Sequence, residues 1–509
     1  MSQDQQQAVI EFLERPATHG GAAVKRIDTH AACVFLAGER ALKIKRAVKF
    51  PFLDFSTLAR RKAACEAEIE VNRPFAPAIY RGVVAITRGP DGLTIGGGGE
   101  PAEWAVEMRR FDEEQTLDHL AERGEIDDEL ADALGRAVAQ AHAAAPQGAG
   151  FVEELAEVIE QNDAELRGSP HLFPGPKLAA LTAATRAAFA RVRPLLVERE
   201  RDGFVRRCHG DLHLGNIVLI DGAPTLFDAI EFDPRIATGD VLYDLAFLLM
   251  DLIERKLGAA ANIVLNRYLT ETRRDENLDA LAALPLFLSS RAAIRAKVTA
   301  ARAKGTELHS DRRAEAEQSA RDYFALAQEL LAPAKPRLVA VGGLSGTGKS
   351  LLARALAPDI WPAPGAVVLR SDVERKALFG IAENERLPQS AYERAATAKV
   401  YAAIEAKARR VLTAGHSAIA DAVFADPRER AAIAKAAGGQ AFRGLFLTAP
   451  LAVRVSRVGA RRDDASDADA QVARAQEQYD LSALDWTTVD ASGTPAETLQ
   501  RAREVLAKS

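Results

Sequence analysis

The run VAVGGLSGTGKSLLARAL constrains this chain more than any other stretch of it. It sets Gly343, Gly348, Lys349 and Ser350 in the spacing GxxxxGKS, with a strand-like apolar run before them and a helix-like LLARALA behind. Such a loop lets successive backbone N–H groups curl around a phosphate at the positive end of a helix. Lys349 is then expected to supply charge to the β- and γ-phosphates and the Ser350 hydroxyl to ligate magnesium, with Ser345, Gly346 and Thr347 completing the cradle.

A loop of this kind needs a parallel sheet behind it, and the sequence after residue 336 supplies the pattern. RLVAVGG, AVVLRSD, SAIADAVF and GLFLTAP alternate with helical stretches, as crossover connections require. Asp372 follows one of these strands and Asp421 ends another, so both converge on the ligand crevice at the strand C-termini. Asp421 is the candidate for the magnesium shell. Asp372, with Arg375 one turn on, is the candidate for binding an acceptor and activating its hydroxyl; the bland alternative for each acid is a helix cap or a surface residue. Arg457 and Arg461, four apart in AVRVSRVGARRDDASDAD beside Arg454 and Arg462, share a helix face that can close over a transferring phosphoryl group. A solvated helix face is the alternative. The part from residue 336 carries 24 basic and 20 acidic side chains, against a whole-chain charge of −5. That mild basic excess suits a nucleotide and is too small for duplex nucleic acid.

A second signal lies upstream, in CHGDLHLGNIVLIDGAPTLFDAIEF. Asp211 and Asn216 stand in the D-x-x-x-x-N spacing of a kinase catalytic loop. The strand IVLI, the turn DGAP and the strand TLF then return the chain to Asp228, so that Asn216 and Asp228 can bind magnesium together. Asp211 is left to accept or orient the acceptor hydroxyl proton. Lys43 in ALKIK is expected to reach the α/β-phosphates, with Glu68 on the following helix as its ion partner. Lys45 competes with Lys43 from the same strand face, and Glu66 and Glu70 compete with Glu68.

Other features read more plainly. Cys208, His209, Asp211 and His213 lack a second cluster with zinc-like spacing. His209 reads as a packed residue shaping the loop, His142 as ordinary interior or surface, and Asp244 as a buried brace. Gly96–Gly99 lies between two strand candidates with no helix start behind it, which makes it a hairpin turn. Three cysteines imply no disulfide framework, and neither a signal sequence nor an 18-residue apolar run is present, so a cytoplasmic location without membrane association is expected.

GGLSGTGKS, LRSDVERKALFG, AIADAVF and RVGARRDDASDAD resemble small P-loop kinases of the gluconate kinase, polynucleotide kinase and zeta-toxin type, over about residues 337–500. HGDLHLGN, FDAIEFD and DVLYDLAF resemble the aminoglycoside phosphotransferase and choline-kinase branch of the protein-kinase fold, over about residues 20–330. No GxGxxGxV loop precedes Lys43, no glycine follows Asp228 and no APE-like motif appears, which points away from protein kinases. Together the halves resemble bacterial bifunctional aminoglycoside phosphotransferase-like/ATP-binding proteins.

The resemblance implies an α/β and α+β multidomain chain: a bilobal kinase-like fold followed by a three-layer P-loop domain with a parallel sheet. The expected parts are an N-lobe at 1–112, a helical C-lobe at 113–332, a linker at 333–336 around Pro333 and Pro336, and the P-loop domain at 337–509. The implied activity is ATP- and magnesium-dependent phosphorylation of small-molecule alcohols at two nucleotide sites. A P-loop enzyme governed by a non-catalytic kinase-like sensor, or a toxin-like kinase held in check by its partner domain, is the alternative.

Overall fold

Side chains of alternating direction along Ala32–Ala37, Arg40–Lys45 and Glu100–Arg109 let one antiparallel sheet bury both of its faces. The computed structural model describes residues 3–50, 53–304, 310–333, 335–459 and 465–507. They divide into two compact units, Met1–Glu160 with Arg193–Asp251, and Gln161–Val192 with Leu252–Ser509.

In the first unit the sheet has six strands, in the order Val24–Asp28, Ala32–Ala37, Arg40–Lys45, Glu100–Arg109, Tyr80–Gly89 and Gly92–Ile95. Leu42 and Ile44 point to the face covered by Val9, Ile10 and Leu13. Ala41 shares the other face with Cys65 of the helix Leu58–Asn72, and by the two-residue period of a strand Lys43 and Lys45 follow Ala41. A second helix, Gln3–Glu14, closes the opposite face. Its buried positions Gln6, Val9, Ile10 and Leu13 keep the i, i+3, i+4, i+7 spacing, but only three of them are apolar. Gly96–Gly99 joins Gly92–Ile95 to Glu100–Arg109, but these strands lie on either side of Tyr80–Gly89 and pair with it rather than with each other, so the segment is a connection past that strand and not the hairpin turn expected.

In the second unit five parallel strands run in the order Val367–Arg370, Ala418–Asp421, Arg337–Gly343, Ala441–Thr448 and Thr487–Asp490. Val339, Val341, Ile419, Leu445 and Leu447 make one core with Leu352 and Leu356 of the helix Lys349–Leu356 and Leu506 of the helix Pro495–Ala507. The helices Gly258–Thr272, Leu284–Ala303 and Ser310–Leu330 belong to the same unit. Among the described residues no helix is long and apolar enough to cross a membrane.

His416, just before the strand Ala418–Asp421, is fully buried, and its Nε2–H donates to the Gly365 carbonyl at 2.9 Å. Burial holds its pKa down to about 4, from an ordinary 6.5. The unfolded chain therefore takes up a proton that the folded chain refuses. Stability is fully present above pH 6.5 and falls as pH drops from there through about 4, by on the order of 3 kcal/mol. Urea unfolding at a series of pH values should show this slope, and His416→Asn should flatten it.

Candidate active sites

The hairpin after the Asp211 loop does what its sequence suggested. Ile217–Ile220 pairs antiparallel with Ala223–Leu226, in the register Ile217 to Leu226, through a turn at Asp221 and Gly222 where both residues have positive φ. Phe227 N–H then donates to the Asn216 carbonyl at 2.9 Å, which places Asn216 and Asp228 at the same end of the hairpin. The Asn216 side chain donates to Asp211, at 2.9 Å to the backbone carbonyl and 3.1 Å to Oδ2. Its amide N–H group is thus engaged, and its side-chain oxygen is the atom suited to a cation.

Lys43 and Lys45 project from one face of their strand, and Glu68 lies between them. Lys43 Nζ is 2.9 Å from Glu68 Oε1 and 2.6 Å from Asp228 Oδ1, while Lys45 Nζ is 2.6 Å from Glu68 Oε2 and also pairs with Glu231. The open choices therefore resolve as one ladder of alternating charge: Asp228, Lys43, Glu68, Lys45, Glu231. Glu66 and Glu70 are exposed. Burial opposes ionisation of Glu68, but Lys43 and Lys45 outweigh it and hold its pKa down to about 2. Burial likewise works against the Lys43 ammonium, and Asp228 and Glu68 overcome it, raising its pKa well above the ordinary value. The helix Leu58–Asn72 is fastened a second time at its end, where Asn72 donates to Ala229 O at 3.1 Å and accepts from Ala229 N–H at 2.6 Å.

The loop that carries Asp211 is held from below. Asp244 accepts from Gly210 N–H at 2.8 Å, from His209 N–H at 3.3 Å and from His142 Nε2 at 3.1 Å, and Asp251 accepts from Leu214 N–H at 3.0 Å. His142, Cys208 and Asp244 bring metal-type atoms within 4.8 Å of one another. Their hydrogen bonds to each other and to the backbone make the group a brace. His209 Nε2–H donates to Phe227 O at 2.9 Å, and burial lowers its pKa, which keeps the ring neutral in its loop-shaping role. Tyr80, whose hydroxyl accepts from Asp228 N–H at 3.1 Å, carried no signal in the sequence.

The second unit builds the other site on the phosphate loop. Gly346 has φ +87°, and a Cβ there would meet the Arg454 carbonyl oxygen at 2.5 Å, so only glycine allows this approach. Lys349 opens the helix, with its Nζ 3.4 Å from Leu344 O. Ser345 N–H donates to Gln476 Oε1 at 2.6 Å, and Thr347 Oγ1 donates to Leu344 O at 2.8 Å. Parallel pairing sets Asp421 beside Val341 on one side and Arg370 on the other, and the Arg370 guanidinium is 3.6 Å from Asp421 Oδ2. Burial pushes the Asp372 carboxyl above its ordinary value; Arg370 opposes this and Asp421 adds to it. Asp372, Asp421, Arg370 and Lys349 are thus electrostatic neighbours.

The remaining candidates are placed as follows. Arg375 is buried, donates to Ala391 O at 2.6 Å and to Thr397 Oγ1 at 3.1 Å, and lies over the Tyr392 ring. Arg457 donates to the carbonyls of Ala491 at 2.7 Å and Gly493 at 2.6 Å. It also lines a pocket of about 190 Å³ with Thr347, Gly348, Leu351, Pro495 and Leu499, which no local pattern announced. Arg454, not Arg457, is the fully buried arginine of its helix. Arg461 and Arg462 lie outside the described residues.

A family model described as "Phosphotransferase enzyme family" matches residues 47–284, and one described as "AAA domain" matches residues 338–481. An uncharacterized protein of Mycobacterium tuberculosis is 31% identical over 495 residues, covering 94% of each chain. A choline/ethanolamine kinase family protein of Mesorhizobium loti shares 16% identity over 64% of this chain and 99% of its own, with a TM-score of 0.39. A gluconokinase of Sinorhizobium meliloti shares 21% over 34% of this chain and 93% of its own, with a TM-score of 0.26.

Proposed function

Since the chain belongs to a family of two-domain proteins that join a phosphotransferase-enzyme domain to a phosphate-loop AAA domain, we propose that it is an ATP-dependent phosphotransferase with two magnesium–nucleotide sites, acting on small-molecule alcohols. The single observation that carries this reading is the buried ladder in which Glu68 holds Lys43 beside Asp228, with Asn216 and Asp211 at the same hairpin end. A sensor that had shed catalysis would have no reason to keep all five groups in place.

The donor set suits a hard cation: the Asp228 carboxylate and the Asn216 side-chain oxygen at the first site, the Ser350 hydroxyl and Asp421 at the second. Magnesium bound there would neutralise phosphate charge. The chain's own residues do the rest. Lys43 presents its ammonium to the phosphates, and Glu68 keeps it from swinging away. Asp211, with its carboxylate about two-fifths exposed, takes the acceptor hydroxyl proton as that oxygen attacks the γ-phosphorus and the bond to the ADP oxygen breaks. At the second site the loop N–H groups and Lys349 hold the phosphates, the pocket beside Leu351 and Arg457 suits the nucleoside, and Asp372 receives the acceptor proton. The raised pKa of Asp372 brings it nearer the working range of a general base.

Calorimetry on the full chain tests this reading. Two equivalents of a non-hydrolysable ATP analogue should bind in the presence of magnesium, and Asp228→Ala should remove the magnesium-dependent binding of one of them. A single equivalent, insensitive to Asp228→Ala, would contradict the first site.

A further inference from the structure

The strand Val367–Arg370 stands at the edge of the parallel sheet, so one row of its backbone groups has no strand partner. The helix Gly258–Thr272 covers that row. Asn266 Oδ1 accepts from Val368 N–H at 2.7 Å, and Asn266 Nδ2 donates to Ala366 O at 3.2 Å. Asn262, one turn earlier on the same face and fully buried, donates to Ala366 O at 3.1 Å. An amide offers a donor and an acceptor together, as a neighbouring strand would. Asparagine is a weak helix former, and two of them spent inside one helix mark a contact with a purpose. Gly365, just before the strand, has φ +116°, and a Cβ there would meet the Ala357 carbonyl at 2.4 Å and Asn262 Nδ2 at 2.8 Å. The close approach is built from both sides.

Three further contacts reach elements on the same side of the site. Arg267, next to Asn266, pairs with Glu383 at 3.0 Å, and the Glu383 carbonyl accepts from Lys376 Nζ at 2.7 Å. Lys376 is itself buried on the helix Ser371–Leu378 that carries Asp372. Lys407 touches both carboxylate oxygens of Glu374 at 2.8 Å and lies 3.6 Å from Asp275, just beyond the end of the covering helix. Arg410 grips Asp279 through two hydrogen bonds of 3.0 and 2.6 Å. The edge strand, the loop after its helix and the helix Arg394–Thr413 are therefore all tied to residues 262–279.

From these contacts we infer that Asn266 and Arg267, with Asn262 beside them, are positioning residues for the acceptor side of the phosphate-loop site, an inference that rests on the phosphotransferase reading of that site. They set where the edge strand and its helix place Arg370 and Asp372. The phosphate loop rises from a central strand of the sheet and does not depend on them. Nucleotide binding and phosphoryl transfer should therefore separate when they are changed.

The test uses the full chain carrying Asp211→Asn, so that turnover at the second site is read alone. Three quantities are followed in Asn266→Leu and Arg267→Ala: Lys349-dependent ATP turnover, Lys349-dependent affinity for a non-hydrolysable ATP analogue, and amide hydrogen exchange over residues 366–387. Turnover should fall about tenfold with analogue affinity held within about twofold, since misplacing a reacting group costs rate before it costs binding. Exchange at Val368 should quicken in Asn266→Leu, and Arg267→Lys should restore the loss seen in Arg267→Ala. Unchanged turnover and exchange would overturn the inference, and so would a parallel fall in turnover and affinity, which marks a purely structural helix. If the Asp211→Asn chain itself shows no Lys349-dependent turnover, the phosphotransferase reading of this site fails. Exchange confined to 366–387 then supports the holding role, and unaltered exchange removes it.

Discussion

Asp211→Asn should lower phosphoryl transfer at the first site by about 10²–10⁴-fold, the usual worth of a positioned general base. The substitution is nearly isosteric. The asparagine oxygen can still accept from Asn216 Nδ2, which lies 3.1 Å from Asp211 Oδ2, so the loop keeps its shape. The brace from Asp244 to Gly210 and His209 is untouched. Asn216 and Asp228 retain the oxygens that suit magnesium, and Lys43 retains Glu68. Binding of the magnesium–nucleotide should therefore change little while single-turnover transfer to an acceptor collapses. Full transfer by Asp211→Asn in a chain that also carries Lys349→Ala would remove Asp211 as the base of this half.

Lys349→Ala should weaken nucleotide binding at the phosphate loop by about 10²–10³-fold, since it removes several charge-assisted hydrogen bonds to the phosphates. The fold should survive it. The loop's course is set by the close approach of Gly346 to Arg454 and by the bonds of Ser345 and Thr347, none of which involves the Lys349 ammonium. Calorimetry on the full chain should show one equivalent of analogue lost, with the thermal unfolding midpoint unchanged in the absence of nucleotide. The full chain is the right object, because helix Gly258–Thr272 covers the edge strand of this sheet. Unchanged stoichiometry would remove the second site from the account.

The motifs were legible because each packs its chemistry into a few consecutive residues. GxxxxGKS and D-x-x-x-x-N carry their loops with them, and the strand–turn–strand after Asn216 followed from IVLI, DGAP and TLF. Glu68 was named as the partner of Lys43 but could not be separated from its rivals, because Glu66, Glu68 and Glu70 are chemically alike. Only packing against the sheet decides that Glu68 is buried while its neighbours face outward. Lys45 could not be ranked against Lys43 because both join Glu68; the distinction is that Lys43 also reaches Asp228 and Lys45 reaches Glu231. Among the arginines after residue 450, helical spacing grouped Arg457 with Arg461. The buried position belongs to Arg454, whose Nη1 lies 3.4 Å from Ser345 O, a contact across 109 residues that no local period encodes. The role of Asn262 and Asn266 was equally hidden, since their partners lie about a hundred residues onward.

The most direct measurement is transfer of label from γ-labelled ATP to a library of small-molecule alcohols, made with the unaltered chain, with Asp211→Asn, with Lys349→Ala and with both changes together. At least one labelled product should be lost specifically with Asp211→Asn, another lost specifically with Lys349→Ala, and none should remain with the double variant. Products that depend on Lys349 alone would leave the kinase-like half without catalysis, as a sensor for its neighbour. Label released only as inorganic phosphate, whichever residue is changed, would contradict the phosphotransferase account as a whole.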